Sequence, residues 1–147
     1  MPLPDQAVIL LIDDDENDIA LARRALIQAK ILNPLYVLRD GEQAMAYLEG
    51  TGKYRDRSEF PLPDLILLDL KMPRMDGFEL LYWVRHQPYL KALRIVVLTS
   101  SEDVYDINRA YEMGANSFLM KPFDFDDYKG LARTLGSFWF GLPRRRN

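Results

Sequence analysis

The stretch Val8-Ile9-Leu10-Leu11-Ile12-Asp13-Asp14-Asp15 decides how the chain folds. Five successive apolar residues leave no polar face, so a strand formed here is covered on both sides, as in a parallel sheet. The run then stops abruptly at three aspartates, where buried strand gives way to polar chemistry. Reading outward, Glu16 to Lys30 has helical periodicity, with Ile19, Ala22, Leu26 and Ala29 on one face. A short strand around Tyr36–Leu38 precedes the Asp40-Gly41 turn, and a helix is expected near Gln43–Glu49.

The segment Gly50 to Pro63, rich in Gly, Pro and charge, reads as a loop. Asp64–Leu68 is the third strand and ends at Asp69, and a helix is expected over Phe78–Gln87, stopped by Pro88. Arg94–Leu98 is the fourth strand and leads to Thr99. Glu102–Met113 reads as a helix closed by Gly114, and Ser117–Met120 as the fifth strand, ending at Lys121-Pro122. A last helix is expected from Asp124 into the Ser137–Phe140 region. Alternating strands and helices predict an α/β fold: a five-stranded parallel sheet with helices on both faces.

Length and composition are compatible with that design. The 147 residues suit one domain, with 19 Lys and Arg against 22 Asp and Glu, a net charge of −3. The absence of Cys excludes disulfides and thiolate metal sites. There is no overall basic footprint for nucleic acid. No stretch approaches the roughly 18 apolar residues that span a bilayer, and no basic segment precedes the first apolar run. The expectation is a cytoplasmic protein with no membrane or nucleic-acid partner, whose chemical resource is carboxylate.

In open parallel sheets, polar chemistry gathers beyond the carboxyl ends of the strands. Here those ends carry Asp13, Asp14 and Asp15, then Asp69, Thr99 and Lys121. With strands in the order 2-1-3-4-5 and spaced about 4.8 Å apart, these groups form a continuous row. Three close carboxylates stay ionised only beside a compensating cation, and oxygen ligands suit Mg²⁺. Asp15 is better placed as the N-cap of the first helix than in the metal site. A carboxylate nucleophile, a divalent cation, an ammonium and a hydroxyl are the parts needed for phosphoryl transfer to an aspartate. No Gly-rich phosphate cradle is present, so the donor comes from elsewhere.

Ile12-Asp13-Asp14, Leu68-Asp69-Leu70-Lys71-Met72-Pro73 with Asp76-Gly77, Leu98-Thr99-Ser100 and Lys121-Pro122-Phe123 together resemble the receiver domain of two-component response regulators. The resemblance implies a flavodoxin-like fold, with residues 1–147 forming one receiver domain that ends in an extended helix and an aromatic and basic tail. It implies that Asp69 takes a phosphoryl group from a histidine kinase, assisted by Thr99 and Lys121. Asp14 and Asp69 would hold Mg²⁺ directly, the Lys71 backbone carbonyl would be a third ligand, and Asp13 would act through water. Phe118 would be the switch aromatic that moves inward when Thr99 swings toward the phosphoryl group. Side chains at Lys71 and Ser101 would tune hydrolysis of the acyl phosphate. The chain would thus catalyse its own phosphorylation and dephosphorylation without being an enzyme in the ordinary sense.

The Gly50–Pro63 insertion, Leu65–Leu70 and Ser137-Phe138-Trp139 further resemble the small stand-alone regulators paired with cyanobacterial and bacterial phytochromes. That likeness implies a phytochrome-type kinase, a homodimer through the C-terminal half and an unknown downstream protein. Two other functions fit parts of the sequence. A phosphate-independent adaptor could use the same fold, and Asp13-x-Asp15 with Thr99 and Lys121 overlaps the haloacid-dehalogenase-type phosphatases. The latter need the nucleophile on the first strand and the acidic pair late, the reverse of the order here. His86, the single imidazole, suits a helix C-terminus. Trp139 and Phe140 suit an interface, and Arg144–Arg146 suit a solvated end.

Overall fold

The computed structural model describes residues 7–28, 30–72, 75–99 and 104–120. The side chains of Thr99, Val104, Leu119 and Met120 are outside that description. Strands β1 (Ile9–Ile12), β2 (Leu35–Leu38), β3 (Leu65–Leu68), β4 (Arg94–Thr99) and β5 (Ser117–Met120) form one sheet in the order 2-1-3-4-5. Every neighbouring pair is parallel. Helices α1 (Glu16–Gln28), α2 (Gly41–Glu49), α3 (Gly77–Arg85) and α4 (Val104–Glu112) fill the connections. The expected fold class and strand order are therefore observed. The expected last helix, from Asp124 into the Ser137–Phe140 region, and the tail after it fall on residues outside that description.

The all-apolar strands are buried on both faces, as their composition requires. Alternation with period two sends Ile9, Leu11, Leu65, Leu67 and Val96 to one side, where α1 covers them with Ile19, Ala22, Ala25 and Leu26. Leu10, Ile12, Ile66, Leu68, Ile95 and Val97 face the other side, beneath residues of α2, α3 and α4. Tyr36, which the core on that side includes as a half-buried ring, and Tyr47, Tyr54 and Phe60 form a chain of tilted and edge-on contacts.

Several boundaries differ from expectation for local reasons. Helix α1 stops at Gln28 rather than Lys30, which has a left-handed φ of 62°. Helix α2 starts at Gly41 because the Asp40 side chain caps the Gln43 amide. Asp64 is not a strand residue; its carboxylate accepts the Val8 amide at 2.8 Å and ties the entries of β1 and β3 together. Helix α3 ends at Arg85 instead of Gln87, with His86 as its C-cap.

The Gly50–Pro63 segment is more structured than a plain loop. It holds a 3-10 turn at Gly52–Tyr54. Arg57 donates to the carbonyls of Tyr47, Leu48 and Phe60, so it closes the C-terminal end of α2. Among the described residues, no helix is long and apolar enough to cross a membrane.

Candidate functional site

The sheet register brings the acidic residues together. Ile12 and Leu68 are the last pair of the β1–β3 ladder, and backbone hydrogen bonds continue one residue beyond it. The Asp13 amide donates to the Leu38 carbonyl at 3.0 Å, and the Asp69 amide donates to the Ile12 carbonyl at 2.9 Å. Asp13 and Asp69 are thereby held side by side at the carboxyl edge of β1 and β3. With Asp14 they place one carboxylate oxygen each within 4.8 Å of one another. Asp13 and Asp69 are the two buried charged residues in the described chain, at 2% and 5% exposure, while Asp14 is open to solvent.

Backbone amides fix the two buried carboxylates. The Asp15 amide donates to Asp13 Oδ1 at 2.9 Å, and the Lys71 amide to Asp69 Oδ1 at 3.2 Å. Two such groups at close range remain ionised only with a neighbouring positive charge. Hard oxygen donors of this kind match a divalent cation such as Mg²⁺ or Mn²⁺. One cation can serve three carboxylate oxygens that lie within 4.8 Å of one another, directly or through water. The residues present fit a divalent metal.

Asp15 stays out of this cluster and caps α1, accepting the Asp18 amide at 3.0 Å. Lys71 is exposed, and its amide is tied to Asp69. Thr99 ends β4, with its backbone in register with Met120. Lys121 follows β5 and, like Ser101, lies outside the described residues. Phe118 is half-buried on β5 and packs against the core beneath α2, α3 and α4. His86 stands away from the cluster at the end of α3, where its ring stacks on Tyr82 and Nδ1 lies 2.7 Å from the Tyr82 carbonyl.

Two supporting features escaped the reading of the sequence. The first is Gly77, the opening residue of α3, whose amide donates to the Leu70 carbonyl at 2.8 Å. A Cβ there would stand 2.5 Å from the Asp69 carbonyl oxygen and 2.6 Å from Leu70 Cα. The Asp76-Gly77 pair stands among the motifs that carry the family resemblance, but a motif does not reveal which backbone presses against it. The second is the ion pair between Arg39, just past β2, and Glu16, the first residue of α1. Its partners are 23 positions apart, so no local spacing announces it.

Comparison with known proteins agrees with this geometry. The sequence profile of the response regulator receiver domain matches residues 9–133. Response regulator Rcp1 of Synechocystis sp. is 39% identical over 132 residues, covering 90% of this chain and 88% of Rcp1. The crystal structure of the phosphorylated cyanobacterial phytochrome response regulator RcpA superposes with a TM-score of 0.85 at 33% identity, over 92% of this chain and 95% of RcpA. The Mn²⁺-bound form of Rcp1 gives 0.84 at 36% identity, over 96% and 99% of the two chains. With its strand order, its clustered acids and this profile match, the chain belongs to the receiver domain family of two-component response regulators.

Proposed function

We propose that this chain accepts a phosphoryl group on Asp69 from a histidine kinase and passes the signal on through altered protein contacts. The observation that carries the reading is the buried Asp69 carboxylate held beside Asp13 at the carboxyl edge of the sheet. An Asp69 carboxylate oxygen forms a bond to phosphorus in line with the breaking P–N bond of a phosphohistidine. The electron pair of that bond stays on the imidazole, and the product is an acyl phosphate that water later hydrolyses.

Mg²⁺, when bound, offsets the charge of the carboxylates and of the phosphoryl oxygens. Asp14 and Asp69 would hold it directly, Asp13 through water, and the Lys71 backbone carbonyl would complete the protein's share. Thr99 donates its hydroxyl to a phosphoryl oxygen, and Lys121 supplies a point charge to another. Phe118 shifts inward as Thr99 closes on the phosphoryl group, a packing change of the kind that added charge can drive. The half-buried position of Phe118 supports this, since a ring in that position has room to bury further.

The likeness to RcpA favours a phytochrome-type kinase as the donor. Residues 1–147 act as one receiver domain, with a homodimer formed through the C-terminal half and a downstream protein still to be identified. The test is phosphotransfer from histidine kinases, including a phytochrome-linked one, with acetyl phosphate and Mg²⁺ as the kinase-free control. Wild type should take label and Asp69→Asn should not. Failure of the wild-type Asp69 to take label from any donor would favour a phosphate-independent adaptor.

A further inference from the structure

The rim of the acidic cluster carries an ion pair that its chemistry does not require. Arg39 leaves the sheet directly after β2, and its guanidinium meets the Glu16 carboxylate at the start of α1. The Arg39 amide is held by Gln43 Oε1 at 3.3 Å, which anchors the residue to α2. Both partners are close to the metal ligands. Glu16 stands two residues beyond Asp14, and the Leu38 carbonyl, adjoining Arg39, receives the Asp13 amide. The side chains are 48% and 74% exposed, so the pair adds little stability, and its importance lies in the field it casts on its neighbours.

Resting on the reading of Asp69 as phosphoacceptor, we infer that the Arg39–Glu16 pair is an electrostatic tuning element of this site. Paired, the two charges largely cancel in the field they cast on the cluster, and so balance affinity for the divalent cation against acceptance of an anionic phosphoryl donor. The two ligands respond oppositely to rim charge. Removing the Arg39 charge leaves Glu16 uncompensated, which strengthens cation binding and repels the donor. Removing the Glu16 charge leaves Arg39 uncompensated, with the opposite effect on each. Arg39 stands one strand from β1 and two from β3, so its backbone is roughly 5–10 Å from those of Asp13 and Asp69 at ordinary strand spacing. At about 9 Å in water, the far end of that range, one unit charge changes the affinity of a divalent ion roughly threefold at about 10 mM ionic strength. The change shrinks to less than twofold at about 0.15 M.

The experiment uses the full chain and two independent readouts. The first is binding of Mn²⁺ alone, followed by the loss of the free-ion paramagnetic resonance signal. The second is the rate of Asp69 labelling by acetyl phosphate at saturating metal. Arg39→Gln should tighten Mn²⁺ roughly threefold and slow labelling by a similar factor at low salt. Glu16→Gln should weaken Mn²⁺ and speed labelling, and the double variant should return toward wild type. Arg39→Lys and Glu16→Asp, which keep the charges, should match wild type, and thermal melts verify that each variant folds. Shifts of the two singles in the same direction, or none at low salt, overturn the inference. Loss of Asp69-dependent labelling in wild type would instead overturn the phosphoacceptor reading, which these variants leave intact.

Discussion

Replacing Gly77 with alanine sets two effects of opposite sign against each other at the loop beneath Asp69. Gly77 begins α3 with a φ outside the left-handed region, so alanine is conformationally welcome there. Helix propensity alone predicts a gain of up to about 1 kcal/mol. The added methyl, however, would lie 2.5 Å from the Asp69 carbonyl oxygen, 2.6 Å from Leu70 Cα and 3.1 Å from Leu70 Cδ2. Two of those three atoms are backbone, and no rotamer change moves them aside.

The start of α3 must therefore back away and lengthen the 2.8 Å bond from the Gly77 amide to the Leu70 carbonyl. Overpacking of this kind costs about 1–3 kcal/mol and a weakened hydrogen bond about 1 kcal/mol more. After the propensity gain, the expected net loss is about 2 kcal/mol, equivalent to a drop in Tm of roughly 6–8 °C for a chain of this size. Urea denaturation and a thermal melt measure it directly, and labelling by acetyl phosphate should slow because Asp69 shares the displaced backbone. A neutral or raised Tm for Gly77→Ala would refute the close-packing argument and leave helix propensity in charge.

Three further outcomes are expected. The Tyr47 phenol donates to the Pro61 carbonyl at 2.7 Å, and burial, with Tyr36 close by, pushes its pKa up from 10.0 to about 12. The unfolded chain therefore releases this proton at lower pH than the folded chain, so stability should fall as pH rises from about 10 to 12. Tyr47→Phe should flatten that decline in pH-dependent melts while costing about 1 kcal/mol at neutral pH. Arg85 donates to the carbonyls of Lys91, Leu93 and Gly114 and to Asn116 Oδ1, tying α3 to the entries of β4 and β5. A lysine cannot reproduce that planar fork, so Arg85→Lys should lose about 2–3 kcal/mol in urea titrations, and an unchanged midpoint would count against the network. Phe118→Ala should retain labelling at Asp69 but reduce the beryllofluoride-induced shifts of α4 and β5 amide resonances, whereas full-sized shifts would remove Phe118 from the switch.

Much of this protein is legible in its sequence alone. The runs Val8–Ile12 and Leu65–Leu68 have no polar position, so they had to be strands covered on both faces. Their abrupt ends at Asp13 and Asp69 located the acids at one edge of the sheet, and Asp15 as a cap of α1 followed from the next helical run. Boundaries set by side-chain capping were less visible. Asp64 looks like the first residue of a strand until its carboxylate is seen holding the Val8 amide, 56 positions away.

Fold class, the polar edge of the sheet and the residue types available there follow from local periodicity and from where the apolar runs stop. Tertiary structure decided the rest. It set Asp13 and Asp69 in adjacent rows through the Ile12–Leu68 register, pressed Gly77 against the Asp69 carbonyl and joined Arg39 to Glu16 across two connections. Each of these depends on contacts between residues far apart in the chain. Such contacts are fixed only when the sheet and helices pack, and no spacing along the sequence encodes them.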